Sequence, residues 1–252
     1  MTNKKKYKAL MLDLDGTLII NHHDALPSVR VREALEKARG IIHIGIATGR
    51  PLHHLHNFLE NVSLSGPSII NGGIQIMDGE SQKILKEKRI NKNDILPILS
   101  IAKTLGITID IVEDDKDVTY NEGYQLKNPL SIYTQPLDEE SADIFIANVS
   151  HIPTISAHKT SSWIPKKVHV AINHISATKQ HGILEVAQIL GINREEIIGV
   201  GDHYNDFPLL MACGLKVAMG NAVEDLKAIA DYIAPTVEED GVADVIEKFI
   251  LQ

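Results

Sequence analysis

Short runs of β-branched and apolar residues alternate along the chain with stretches in which apolar positions recur every three or four residues. This rhythm predicts parallel strands joined by crossover helices. Lys8 to Leu12 reads as the first strand. Pro27-Ser28 then opens a helix whose Val31, Ala34, Leu35 and Ala38 share one face, with Ser28 as its cap and Gly40 as its stop. A strand over Ile41 to Ala47 follows. A helix opened by Pro51 carries Leu52, Leu55, Phe58 and Leu59, and Pro67 to Ile70 forms a third strand. From about residue 175 the rhythm is the same. A helix from Ser176 to Leu190 stops at Gly191, and Ile197 to Val200 and Leu215 to Met219 read as strands. Helices are expected over Asp206 to Cys213, after Asn221 as cap, and over Val242 to Leu251.

The middle of the chain has a different pattern. Ile74 to Met77 and Lys83 to Ile90 flank Asp78-Gly79-Glu80-Ser81 as a hairpin, and a helix is expected from Asp94 to Leu105. Ile107 to Val112, Thr119-Tyr120, Ile144 to Val149 and Val168 to Ile172 read as a strand-rich region, with a turn at Asn121-Glu122-Gly123. The expected organisation is therefore α/β. A doubly wound, Rossmann-like parallel-sheet core from residues 1–79 and 175–252 is interrupted by a mixed α/β insert over 80–174.

Composition narrows the partners. In 252 residues, 25 Lys and Arg stand against 33 Asp and Glu, a net charge of −8 that repels nucleic acid. Lys4-Lys5-Lys6 is the one basic block and reads as a solvated tail. A lone Cys213 makes no internal disulfide, and neither a signal-like start nor a long uncharged apolar run is present. A cytoplasmic protein with no membrane span is the expectation, and the oligomeric state stays open.

The chemistry sits where apolar runs stop. Asp13-Leu14-Asp15-Gly16-Thr17, Thr48-Gly49-Arg50, Asn71-Gly72-Gly73 and Gly201-Asp202-His203-Tyr204-Asn205-Asp206 each end an expected strand. In a parallel sheet those ends share one edge, where ligands bind. Carboxylates gathered there repel unless a cation neutralises them, and an all-oxygen site suits Mg2+ better than zinc. A carboxylate nucleophile with a second Asp two residues on is suited to phosphate-ester hydrolysis in two steps. Gly16 provides the sharp turn between them, and its neighbouring amides with the Thr48 hydroxyl would form an anion-binding concavity.

Asp13-x-Asp15-Gly16-Thr17, Thr48-Gly49-Arg50, Lys179 and Gly201-Asp202-x-x-Asn205-Asp206 resemble, in order and spacing, the four motifs of the haloacid dehalogenase superfamily of phosphatases, Cof-type branch. The resemblance extends to Met219-Gly220-Asn221-Ala222 and Glu239-Asp240-Gly241-Val242-Ala243, and it makes the insert a cap. It implies that Asp13 is nucleophile and metal ligand. Asp15 would be acid/base and lend its backbone carbonyl to the metal, with Asp202 as the third ligand. Asp206 would support the ion from behind, and Thr48, Gly49, Lys179 and Asn205 would hold the phosphoryl oxygens. Gln180 stands where the family often has Gly.

Other signals are weaker. Gly199-Val200-Gly201 resembles the start of a dinucleotide fingerprint, but Tyr204 takes the third glycine position and acids intrude. No Gly-x-x-x-x-Gly-Lys-Ser/Thr loop occurs. His53, His54 and His56 fan around a helix and read as solvated surface, while His22, His23 and His203 lie near the expected mouth. Trp163 reads as cap core. The expectation is a Mg2+-dependent phosphatase for a small phosphorylated metabolite, with sugar phosphates the class the resemblance suggests. A phosphomutase and a phosphate-binding module without turnover are the alternatives.

Overall fold

A computed structural model describes residues 7–20, 22, 24–114, 116–162 and 164–252. The expectations for Lys4-Lys5-Lys6, His23 and Trp163 fall outside these residues. The first layer is a five-stranded parallel sheet. Its strands are β1 (Ala9–Leu12), β2 (His43–Ile46), β11 (Ile197–Gly201), β12 (Leu215–Ala218) and β13 (Tyr232–Ile233), in the order β13-β12-β11-β1-β2. β1 and β11 are buried along their whole lengths, as central parallel strands covered on both faces should be.

The third strand, β3 (Pro67–Ile70), lies alongside β2 through a single parallel bridge, Ala47 to Ile69. Its full ladder is antiparallel, with β4 (Gln75–Asp78) and β5 (Ile84–Glu87). The turn at Asp78, whose carboxylate accepts the Ser81 N–H at 2.8 Å, folds β5 back onto β4 as the expected hairpin, which pairs Ile84–Glu87 with a strand on the N-terminal side of the 80–174 segment.

The helices follow their apolar stripes. In α1 (Val29–Ala38) the Ser28 side chain accepts the Val31 N–H, and Val31, Ala34, Leu35 and Ala38 are the buried positions. The segment after Pro51 is broken, with a 3₁₀ turn over Leu52–His54 and then α2 (His56–Asn61).

The second sheet is antiparallel throughout, in the order β7-β6-β8-β10-β9. Its strands are β6 (Ile109–Val112), β7 (Asp117–Thr119), β8 (Ser131–Thr134), β9 (Ile155–Ser161) and β10 (Val168–His174). Helices α3 (Lys92–Thr104) and α4 (Glu139–Val149) cover it, and Ile95, Ile98, Ile111, Phe145 and Ile172 belong to its own hydrophobic cluster. Ile144 to Val149 is therefore helix rather than strand. Asp138 caps it through the Ser141 N–H, and Ala142, Phe145 and Val149 are buried at helical spacing. β8 and β9 were not anticipated.

The chain then re-enters the first layer through α5 (Lys179–Leu190), capped by Thr178 and ended by Gly191 in the left-handed region. It continues through α6 (Phe207–Ala212), α7 (Glu224–Ile229) and α8 (Gly241–Phe249). Asn221 does not cap α7, which begins after Val223. Its amide instead donates to the Gly16 carbonyl at 2.8 Å and accepts the Val237 N–H at 2.9 Å, tying two loops together at the sheet edge. No helix among the described residues is long and apolar enough to cross a membrane.

Candidate active site

The ends of β1, β2, β3 and β11 are stitched into one rim by backbone hydrogen bonds. Asp13 N–H reaches Val200 O at 2.9 Å, Thr48 N–H reaches Ile69 O at 2.9 Å, and Asn71 N–H reaches Arg50 O at 2.8 Å. These bonds extend the sheet past its last strand residues, so distant motifs meet. One carboxylate oxygen from each of Asp13, Asp202 and Asp206 lies within 4.8 Å of the others.

Lys179 opens α5 against this group. Its ammonium donates to Asp13 Oδ1 at 2.5 Å and to Asp206 Oδ1 at 2.6 Å, with all three side chains buried. Gln180 is exposed and leaves that entry clear, while Gly182 is the position whose Cβ would meet Ile69, at 2.8 Å. Asp206 Oδ2 accepts the backbone N–H groups of Asp202 and His203 at 3.0 and 3.1 Å, which folds the loop after β11 around it. Thr17 donates to Asp202 Oδ1 at 2.9 Å. Gly16, at φ 85°, has no room for a side chain, because a Cβ there would stand 2.4 Å from Asp202 Oδ2.

Electrostatics in this rim oppose the bare acids. Burial first, and then the charge of Asp206, push the Asp13 carboxyl well above the ordinary range, against the pull of Lys179. The same two causes push Asp202 up to about 7. Burial alone would lower the Lys179 ammonium, yet Asp13 and Asp206 raise it overall. Three carboxylates and one ammonium leave a formal charge of −3 + 1 = −2. A hard divalent cation matches both that charge and the all-oxygen donor set.

Asp15 stands apart from the acid cluster. Arg50 grips it with two hydrogen bonds, Nε to Oδ2 at 3.0 Å and an η nitrogen to Oδ1 at 2.5 Å, and also donates to the His22 carbonyl at 3.2 Å. The role of Arg50 was missed at the sequence level, although it sits inside the second motif. Thr48 is buried, and its hydroxyl accepts the Arg50 N–H at 3.1 Å. Around Gly16, the Gly16 N–H is taken by Ile19 O at 2.8 Å and the Thr17 N–H reaches Leu14 O at 3.4 Å.

A cavity of about 470 Å3 lies over this rim, a size that suits a small ligand. Asp13, Asp15 and Asp202 line it from the parallel-sheet side, and Tyr133, Thr134 and His169 from the second sheet. An adjoining cavity of about 830 Å3 shares Gly49, Tyr133, His203 and Asn205 with it and reaches Lys179. Tyr133, unforeseen in the sequence, donates to Gly49 O at 3.3 Å. Burial first and Asp117 second raise its hydroxyl to about 12, so it remains a donor near neutrality. His203 is half-buried in both cavities, and burial lowers its ring below the usual histidine range. His22 meets the site through its carbonyl.

Comparison with known proteins agrees with this arrangement. The sequence matches the family described as haloacid dehalogenase-like hydrolase over residues 10–160 and 124–246. It is 28% identical to YxeH of Bacillus subtilis (strain 168) over 97% of this chain and 99% of that one. It is 27% identical to the 5-amino-6-(5-phospho-D-ribitylamino)uracil phosphatase YcsE of the same organism, over 97% of this chain and 96% of that one. A solved HAD subclass IIB sugar phosphatase superposes with a TM-score of 0.77 at 26% identity, covering 96% and 98% of the two chains. With its acids gathered at one sheet edge beneath a second α/β sheet, the chain belongs to the haloacid dehalogenase-like hydrolases, of Cof type, and is a phosphatase acting on phosphate esters.

Proposed function

We propose that the protein is a Mg2+-dependent, cytoplasmic phosphatase that hydrolyses a small phosphorylated metabolite, with sugar phosphates the favoured class, through a phosphoryl group carried on Asp13. The observation that carries this reading is the convergence of Asp13, Asp202 and Asp206 with Lys179 at the sheet edge, where Asp13 and Asp202 line a cavity between the two sheets. The substrate class is supported by the sugar phosphatase among the similar structures and by a cavity of metabolite size.

In this reading Asp13, Asp202 and the Asp15 carbonyl hold the Mg2+, with Asp206 behind them. The ion, when bound, supplies positive charge to the phosphoryl oxygens and offsets the acids. Lys179 keeps Asp13 Oδ1 engaged and leaves Oδ2 to attack phosphorus, while Gly49, Thr48 and Asn205 steady the phosphoryl group. The leaving ester oxygen takes its proton from Asp15. The same carboxylate then draws a proton from water, which attacks phosphorus, frees inorganic phosphate and restores Asp13. Asp15 must leave Arg50 to do this, so the Asp15–Arg50 pair is a resting arrangement that substrate binding breaks.

The division into a catalytic core of residues 1–79 and 175–252 and a cap of 80–174 forms part of the same proposal, with the β4–β5 hairpin moved to the core side. The test is incubation with Mg2+ and a panel of sugar phosphates plus p-nitrophenyl phosphate. Release of free phosphate without isomerised sugar phosphate is expected. Isomerised product would establish a mutase, and no turnover on the whole panel would leave a binding module.

A further inference from the structure

The 3₁₀ turn over Leu52–His54 begins after Pro51, next to Arg50, and brings two histidines to one point on the second sheet, Asp117 at the start of β7. His53 Nε2 lies 3.2 Å from Asp117 Oδ1, and His54 Nε2 lies 3.1 Å from Asp117 Oδ2. The two rings meet edge to face with centroids 4.4 Å apart, and one donor atom from each of the three residues falls within 4.8 Å of the others. The sequence reading had these histidines fanning around a regular helix as solvated surface. The break between the 3₁₀ turn and α2 makes them converge instead, with side chains 16% and 37% exposed.

We propose that His53, His54 and Asp117 form a second metal site, for a zinc-class divalent ion, that clasps the second sheet to the parallel-sheet layer. The donor chemistry supports this. Imidazole nitrogens select zinc-class ions, whereas the all-oxygen group at Asp13 selects magnesium, so the two sites sort their ions by ligand type. The spacing also supports it. Each imidazole Nε2 stands 3.1–3.2 Å from one Asp117 oxygen, and one donor atom from each of the three residues lies within 4.8 Å of the others, within the span a four-coordinate ion bridges. His54 and Asp117 line the 470 Å3 cavity together with Asp13 and Asp15, so an ion held here would sit in the wall of that cavity. The ion would therefore fix the second sheet over the reaction site without entering the acid cluster.

Zinc binding to the untagged full-length protein, measured by calorimetry with Mg2+ saturating, tests the clasp. About one tightly bound Zn2+ per chain is expected, weakened about 100-fold or more by Asp117→Asn and by the double change His53→Gln, His54→Gln, since losing a direct ligand should cost at least what losing a supporting residue does. X-ray absorption on the zinc-loaded wild type should show two imidazole nitrogens at about 2.0–2.1 Å, a readout independent of whether the variants fold. Zinc that binds equally to the variants, shows an imidazole-free shell, or fails to bind beside Mg2+ would overturn the proposal and leave a hydrogen-bonded contact.

Discussion

Lys179→Met keeps the length of the side chain and deletes its charge. Lys179 is 4% exposed and bonded to Asp13 at 2.5 Å and Asp206 at 2.6 Å, so its loss leaves two buried carboxylates facing each other. At an effective dielectric of about 20 and ~4 Å between charge centres, each pair supplies about 4 kcal/mol of attraction. Removing the lysine's own desolvation cost returns several kcal/mol, and measured losses on breaking buried pairs run at about 3–5 kcal/mol. Urea unfolding in EDTA should therefore show the variant less stable by about 3–5 kcal/mol with an unchanged m value. Saturating Mg2+ should recover part of the deficit, because a cation can take over the neutralising role. A loss below about 1 kcal/mol in EDTA would refute the idea that Lys179 holds the acid group together.

Three further outcomes follow from the geometry. Gly16→Ala should cost about 1–3 kcal/mol from its φ of 85° and should raise the Mg2+ needed for half-maximal activity, because the new Cβ displaces Asp202; a metal titration of activity checks it. Asp202→Ala should shift the same titration steeply upward, and an unchanged curve would remove Asp202 from the ligand set. Ser28→Ala, remote from the rim, should lower stability by about 1 kcal/mol through loss of the α1 cap while leaving kcat unaltered, as thermal unfolding and steady-state rates will show.

The parallel-sheet layer was legible because its signals are local. Ser28 and Gly40 bracket a helix with four apolar positions on one face, and the apolar runs of β1, β3 and β11 end where the polar motifs begin. The convergence of Asp13 and Asp202 also followed, since parallel strands place their ends on one edge whatever their separation in sequence.

What the sequence hid depends on tertiary partners. Ile144 to Val149 contains enough β-branched and aromatic residues to pass for a strand, and only the Asp138 cap upstream marks the helix. β8 and β9 interleave polar residues such as Ser131, Thr134 and Lys159, so neither stands out as an apolar run. Tyr133 carries no motif, and its place over Gly49 arises from the packing of β8 against the rim. Arg50 was visible within its motif, yet its bond to Asp15 depends on how two loops meet. His53 and His54 gain their meaning from Asp117, 64 and 63 residues away in sequence.

A covalent capture experiment bears most directly on the claim that Asp13 carries the phosphoryl group. The protein with Mg2+ is mixed with a hydrolysed sugar phosphate, quenched in acid during turnover, digested and read by mass spectrometry. A phosphoryl increment on the peptide bearing Asp13, absent from Asp13→Asn, is the expected result. Turnover without any such adduct, or substantial activity retained by folded Asp13→Asn, would contradict the account.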